Sequence, residues 1–237
     1  MFNVIKNEKA YWLVDQVKIE GKSVEDYKVE FAKLLSEYEK DNIDYLSLLM
    51  EDRFEIWLLD NGFRKISVIH EYLKGLGEEE YLESNLSFHS LAEQRIEDSE
   101  FAQLYELCRS GTANKNIPQP IEQVMASISK ELGDDWRNNC IYFLKDNEFI
   151  GISIPHIEMG TIDEGRMFYF GIVPKWRGKG LGAEIHKITL ELMKKLKANY
   201  YVGSTDESNG HMIKIFEKNG CKLRNRKGIY RIDRRLT

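Results

Sequence analysis

Between residues 168 and 196 the chain changes character twice. FYFGIV is apolar and aromatic and reads as a strand. PKWRGKG turns on proline and glycine. From Leu181 the pattern is helical, with Leu181, Ile185, Ile188, Leu192 and Leu196 on one stripe. Gly178, Gly180 and Gly182 fall within five positions of the turn. Glycine loses more backbone freedom on folding than any other residue, so this density needs a reason. A helix start offers unpaired N–H groups and a partial positive charge. Glycines there let the backbone close on an oxyanion, so the stretch has the design of a phosphate site. A strand feeding such a turn and helix also constrains the fold to layered α/β architecture.

Three ligand classes compete for this design. A P-loop needs Gly-Lys followed by Ser or Thr, and no such step occurs. Gly178-Lys179-Gly180-Leu181-Gly182-Ala183 does satisfy the dinucleotide pattern G-x-G-x-x-[GA], and Asp206 follows at a suitable distance. However, Pro174 to Arg177 separate the strand from the first glycine, and too little chain follows Asp206 for further β-α repeats. The third class is the pyrophosphate of coenzyme A, for which Arg177-x-x-Gly180-x-Gly182 fits [QR]-x-x-G-x-[GA].

The surrounding pattern predicts strands at LSFHSL, NYYVGST and RMFYFGIVP, and helices at Ser99–Cys108, Ile121–Leu132 and Asn209–Asn219. NIPQP reads as a loop. NCIYFLKDNEFIGISIPHI reads as a hairpin turning at Asp146-Asn147, and CKLRNRKGIYRIDRRL as a final hairpin. Upstream, a strand is expected near Tyr11–Val17 and a helix over Val24–Tyr38 with Val29, Phe31, Leu34 and Leu35 inward. A second helix is expected over Tyr45–Leu59, then a strand from Phe63. The glycines and acidic run of KGLGEEEYLESN mark a boundary, dividing the chain into residues 1–84 and 85–237.

On the glycine loop, on NGHMIKIFEKNGC and on the element order from Leu86 onward, the chain resembles the GCN5-related N-acetyltransferase (GNAT) family. The resemblance implies an α/β (α+β) fold: a mixed, mostly antiparallel sheet flanked by helices, with an additional N-terminal α/β segment. It implies that acetyl-CoA is the co-substrate and that an amine attacks its thioester directly in a ternary complex. By the same resemblance, backbone N–H groups of Arg177, Gly178, Lys179, Gly180, Leu181 and Gly182 bind the pyrophosphate. Ile172 and Val173 pair with the pantetheine arm like an added strand, GIV and YYVG splay to form its cleft, and Asn209 lies near it.

Two departures stand out. The helix position that often carries an acid tyrosine in the family is Phe216, and the strand position that often carries a glutamate base is Met167. Substitutes must be sought nearby. Strand parity places Tyr169 on the face of Met167 and Val173, and His156 and Glu158 share a face at the end of the preceding strand. Tyr169, Glu158 and His156 are therefore the catalytic candidates, each with a plain structural alternative. The departures also leave open a second class, an acyl-CoA-binding or sensing module without turnover.

For residues 1–84 two readings stay open. LLDNGFRK echoes FEKNGCKL, which fits a shortened GNAT-like half without a pyrophosphate loop; helix-Asn-Gly-strand is also ordinary turn chemistry. The basic residues of the tail, from Arg224 to Arg235, either guard an edge strand, the favoured reading, or reach the adenosine phosphate. Composition excludes several classes. The net charge of −5 speaks against a nucleic-acid binder. No apolar run is long enough to span a bilayer, and the start lacks a signal peptide's apolar core. Cys108, Cys140 and Cys221 are far apart, without metal spacing, and fit a reducing cytoplasm, with Cys221 read as a core residue. An amine acceptor, small molecule or protein, and a homodimer are the expected partners.

Overall fold

A computed structural model describes residues 2–7, 11–16, 23–41, 43–77, 84–112 and 119–233. The acidic part of the expected boundary (78–83), residues 116–118 of the NIPQP loop, and Arg234 and Arg235 lie outside the described residues. In chain order the first elements are β1 (Phe2–Asn7), β2 (Tyr11–Gln16), α1 (Val24–Lys40), β3 (Tyr45–Glu51), α2 (Glu55–Asp60) and β4 (Arg64–Gly75). Next come β5 (Ser87–Ser90), α3 (Asp98–Arg109), α4 (Ile121–Leu132), α5 (Trp136–Asn139), β6 (Ile141–Lys145) and β7 (Glu148–Ile157). The last are β8 (Glu164–Ile172), α6 (Leu181–Lys195), β9 (Tyr200–Asp206), α7 (Gly210–Lys218) and β10 (Lys222–Asp233). Two compact units emerge: Met1–Glu71 with Arg224–Thr237, and Tyr72–Leu223.

In the first unit the strand order is β1-β2-β3-β10-β4. β2 and β3 are parallel; β1 with β2, and β3 with β10, are antiparallel. α1 starts at a capping box in which Asp26 N–H donates to Ser23 Oγ and Ser23 N–H to Asp26 Oδ2. Its buried stripe is Tyr27, Phe31, Leu34 and Tyr38. Val29, expected inward, is 59% exposed because it lies on the far side of that stripe. The expected helix over Tyr45–Leu59 is instead strand β3, a short 3-10 turn (Asp52–Phe54) and α2. Leu46, Leu48 and Met50 are buried at period two while the residues between are half-buried, a pattern that strand pairing on both sides of β3 selects over a helix. The tail also differs from expectation. It is one strand, not a hairpin, and it is interior, with β3 and β4 as neighbours. Its basic residues do not guard an edge: Lys227 approaches Asp15 at 3.4 Å, Arg226 Nε donates to His70 Nε2, and Arg231 lies over the Tyr45 ring.

In the second unit β9, β8, β7, β6 and β5 lie side by side. β5 to β8 are successively antiparallel, and β8 and β9 are parallel. The β6–β7 turn falls at Asp146 and Asn147 as expected, with φ of 51° and 63°, which suits the twist of a tight hairpin. One face packs Phe101, Leu104 and Ile128 of the α3–α4 layer on Ile152, Ile154 and Val173. The other packs Leu181, Ile185 and Ile188 of α6 on Ile150, Phe170 and Ile172. This is the mixed, mostly antiparallel, helix-flanked architecture expected from the sequence.

One irregularity positions the site. Ser153 faces Phe170, but Pro155 faces Met167, so β8 carries an extra residue at Phe168-Tyr169. Such a bulge reverses side-chain parity along the strand.

Candidate functional site

β8 and β9 pair only through Glu164↔Tyr200 and Gly165↔Tyr201. Beyond that point the parallel strands separate, so the expected splay is present. Val173 N–H donates to Ile150 O on β7. Antiparallel pairing alternates, so Ile172 and Phe170 turn their N–H and C=O groups toward the parted side. The Ile172 carbonyl is already an acceptor, since Arg177 Nε donates to it at 3.0 Å. The open edge of β8 therefore consists of Ile172 N–H and the amide groups of Phe170, a residue that sequence reasoning did not single out. Val173, which it did, spends its N–H on the neighbouring strand.

The chain leaves β8 through a 3-10 turn at Pro174–Trp176 and reaches Arg177. Arg177 N–H donates to Pro174 O at 3.2 Å, so it is not open to a ligand. The guanidinium clasps protein: Nη1 donates to Gly111 O at 3.0 Å, and Nη2 to Cys108 O at 2.9 Å and Ser110 O at 2.8 Å. These carbonyls end α3, where a cation is favoured by the helix dipole. Arg177 is thus the anchor of the loop rather than one of its ligand contacts.

Gly178 and Gly180 have φ of 74° and 81°, the left-handed region where a side chain is strained. Gly182 serves differently: a Cβ there would lie 2.9 Å from Ile215 Cδ1 of α7. No turn or loop bond occupies the N–H groups of Gly178, Lys179, Gly180, Leu181 and Gly182 among the described residues. Leu181 and Gly182 open α6, where no intrahelical acceptor exists. Lys179 Nζ lies 4.5 Å from the Trp176 ring centre. Asn209 is the N-cap of α7. Its Oδ1 accepts from Met212 N–H at 3.2 Å and its Nδ2 donates to Thr205 Oγ1 at 3.1 Å, leaving one amide hydrogen uncommitted.

The catalytic candidates separate. Tyr169 does not share a face with Met167, because the bulge lies between them. Its ring packs against that of Tyr105, centres 4.1 Å apart and planes tilted by 31°, in the α3–α4 layer. Burial pushes its phenol well above the usual range, with Cys108 and Tyr105 adding to the effect. His156 and Glu158 do come together: Nε2 lies 3.5 Å from Glu158 Oε2. Glu131, on α4, joins them at 3.8 Å from the same nitrogen. Sequence reasoning missed Glu131, which only the packing of α4 brings to β7. Arg166, the cross-strand partner of His156, pairs with Glu164 at 2.6 Å and lies 3.5 Å from Glu158.

His186 of α6 was also missed. It is fully buried among Phe170, Tyr201 and Phe216. Burial, with help from Lys74, pushes its pKa down to about 3. Nδ1 lies 2.9 Å from Asn219 Nδ2, an amide donor, so the neutral ring carries its proton on Nε2, which has no partner. Cys221 is buried and its thiol is pushed up to about 11 by that burial, as befits a core residue. Among the described residues no group of His, Cys, Asp and Glu is arranged to hold a metal, and no helix is long and apolar enough to cross a membrane.

Parted parallel strands beside a glycine-rich helix start, in a helix-flanked mixed sheet, define an acetyltransferase-type domain. Residues 93–222, more than half of the chain, match the acetyltransferase (GNAT) domain, and the chain belongs to that family. No curated protein matches the sequence. Solved structures share the fold at low identity. A GCN5-related N-acetyltransferase from Sphaerobacter thermophilus is 12% identical with a TM-score of 0.69, covering 98% of this chain and 76% of its own. A tandem GNAT protein from the clavulanic acid biosynthesis pathway is 12% identical with a TM-score of 0.66, covering 98% and 78%. A GNAT-family acetyltransferase from Colwellia psychrerythraea is 10% identical with a TM-score of 0.60, covering 98% and 80%.

Proposed function

We propose that the protein is an acetyl-CoA-dependent N-acetyltransferase that joins donor and amine in a ternary complex. The observation that carries this reading is the row of uncommitted N–H groups from Gly178 to Gly182 at the start of α6, beside the unpaired edge of β8. The helix start takes the donor's pyrophosphate, where N–H groups and dipole both favour an anion. The edge of β8 takes the pantetheine amides as a strand takes a neighbour. A backbone N–H near the bulge steadies the oxyanion of the thioester carbon.

His156 is the general base. Its Nε2 takes one proton from the acceptor's ammonium, because only the free amine is nucleophilic. The amine nitrogen then bonds to the thioester carbon, the C–S bond breaks, and the thiolate leaves with coenzyme A. The second amine proton passes to thiolate or solvent. A carboxylate beside the imidazole stabilises the imidazolium that forms. The N-terminal unit is best read as a GNAT-like half without a pyrophosphate loop, supported by the fold likeness to a tandem GNAT protein across nearly the whole chain.

Calorimetric titration with acetyl-CoA, followed by thiol-release assays across an amine panel, tests the reading. Absence of acetyl-CoA binding would end it. Binding without turnover on any amine would instead favour an acyl-CoA sensor, the alternative that Met167 and Phe216 suggest.

A further inference from the structure

His156 is 94% buried, and its Nδ1 has no hydrogen-bond partner. Its Nε2 faces two carboxylates on different elements, Glu158 at 3.5 Å and Glu131 at 3.8 Å. Both carboxylates keep access to solvent, with side chains 38% and 45% exposed. The charged groups around the ring are Glu131 from α4, Glu158 from the end of β7, and Arg166 with Glu164 from β8. Arg166 is committed to Glu164 and reaches Glu158 at a longer distance. Among the described residues the imidazole is the one cation-forming group paired with Glu131. Three carboxylates thus stand against one guanidinium, and the surplus negative charge opens to solvent around a buried base.

Burial raises the pKa of Glu131, the imidazole of His156 opposes this in part, and the nearby charge of Glu158 adds a smaller upward push.

We infer that Glu131 and Glu158 form a cation-selective acceptor site around His156. It admits amines that arrive as ammonium ions and carry no carboxylate of their own, such as aliphatic amines, polyamines or lysine side chains. Free amino acids are rejected by like-charge repulsion. The assignment of this cation as the acetyl acceptor rests on the N-acetyltransferase reading; the cation site itself does not. Glu131 is a specificity-determining residue, since it meets the substrate's charge rather than the reacting atoms.

The test is calorimetry on the full chain at neutral pH with putrescine, butylamine and γ-aminobutyrate, beside a separate titration with acetyl-CoA. Putrescine and butylamine should bind, and γ-aminobutyrate should bind at least about tenfold more weakly, roughly the worth of one charge-assisted contact. Glu131→Gln should weaken putrescine by about tenfold for the same reason and leave acetyl-CoA binding unchanged, while Glu131→Asp should recover part of the loss. Thermal melts confirm that the variants are folded. Equal binding of butylamine and γ-aminobutyrate, or unchanged putrescine affinity in Glu131→Gln, overturns the inference. If acetyl-CoA fails to bind while putrescine binding still depends on Glu131, the cation site stands and the acetyltransferase reading falls.

Discussion

Replacing Arg177 with alanine separates two roles that the sequence motif alone merges. If the guanidinium met the donor's phosphates, Arg177→Ala would weaken acetyl-CoA binding and leave stability nearly unchanged. The structure predicts the reverse order of effects. Four hydrogen bonds leave this side chain, to Ile172 O, Gly111 O, Cys108 O and Ser110 O. Those to Ile172 and Cys108 are part-buried, and those to Gly111 and Ser110 are exposed, where water replaces the lost donor. Counting about 1–1.5 kcal/mol for each part-buried bond and about 0.5 for each exposed one, the loss is about 3–4 kcal/mol. For a chain of this size that lowers the Tm by about 10 °C. Arg177→Lys should lose most of the same stability, because one compact ammonium cannot serve four carbonyls set around a planar fork. Urea unfolding followed by tryptophan fluorescence gives the stability, and calorimetry gives the acetyl-CoA affinity. An Arg177→Ala protein that unfolds at the parent midpoint but has lost the coenzyme would refute the assignment of Arg177 as an anchor.

Other substitutions probe neighbouring features. Gly180→Ala forces a side chain into a φ of 81° and should cost about 1 kcal/mol or more. Gly182→Ala meets only the flexible end of Ile215 and should be close to neutral in urea unfolding. His186 has a folded pKa depressed to about 3, so the unfolded chain takes up its proton first as pH falls. Its contribution to stability is complete above the unfolded value near 6.5 and is lost progressively between about 6.5 and 3, with a slope of up to about 1.4 kcal/mol per pH unit. His186→Met should flatten that limb of the stability curve, whatever it does to stability at neutral pH. Glu131 has a raised folded pKa, so its ionised form opposes folding. Glu131→Gln should raise the Tm slightly at neutral pH, and the gain should vanish below the folded pKa, where Glu131 is itself protonated.

The legible parts of this fold are those decided locally. Gly178 and Gly180 announce a tight turn that the structure builds with left-handed backbone, and Asp146-Asn147 announces a hairpin. The illegible parts are decided by contacts distant in sequence. YLSLLM suits a helix or a strand equally until β2 and β10 pair on either side of it. The β8 bulge carries no glycine or proline to mark it, because Phe168 and Tyr169 would suit a regular strand as well. Arg177 looks like a phosphate ligand until the end of α3 arrives with three carbonyls. Glu131 is an ordinary helix-surface glutamate until α4 packs beside His156.

The bulge also bears on the two departures from the family pattern. Met167 lies before the bulge and Tyr169 within it, so they face opposite sides of the sheet. Met167 packs against the apolar cluster that contains Phe216, Tyr201 and Met193. The two residues that replace a base and an acid are therefore partners in one cluster, on the α6–α7 side. A carboxylate at position 167 would be buried against Phe216 with no charge partner in that cluster, at a desolvation cost that only a matching polar group could offset. The titratable groups packed into that side are ill suited to take a proton: Tyr201 and Cys221 are held protonated by burial, and His186 is neutral and sealed among aromatic rings. On the proposed reading, proton transfer then belongs to the opposite face, where the buried His156 faces Glu131 and Glu158, whose carboxylates reach solvent.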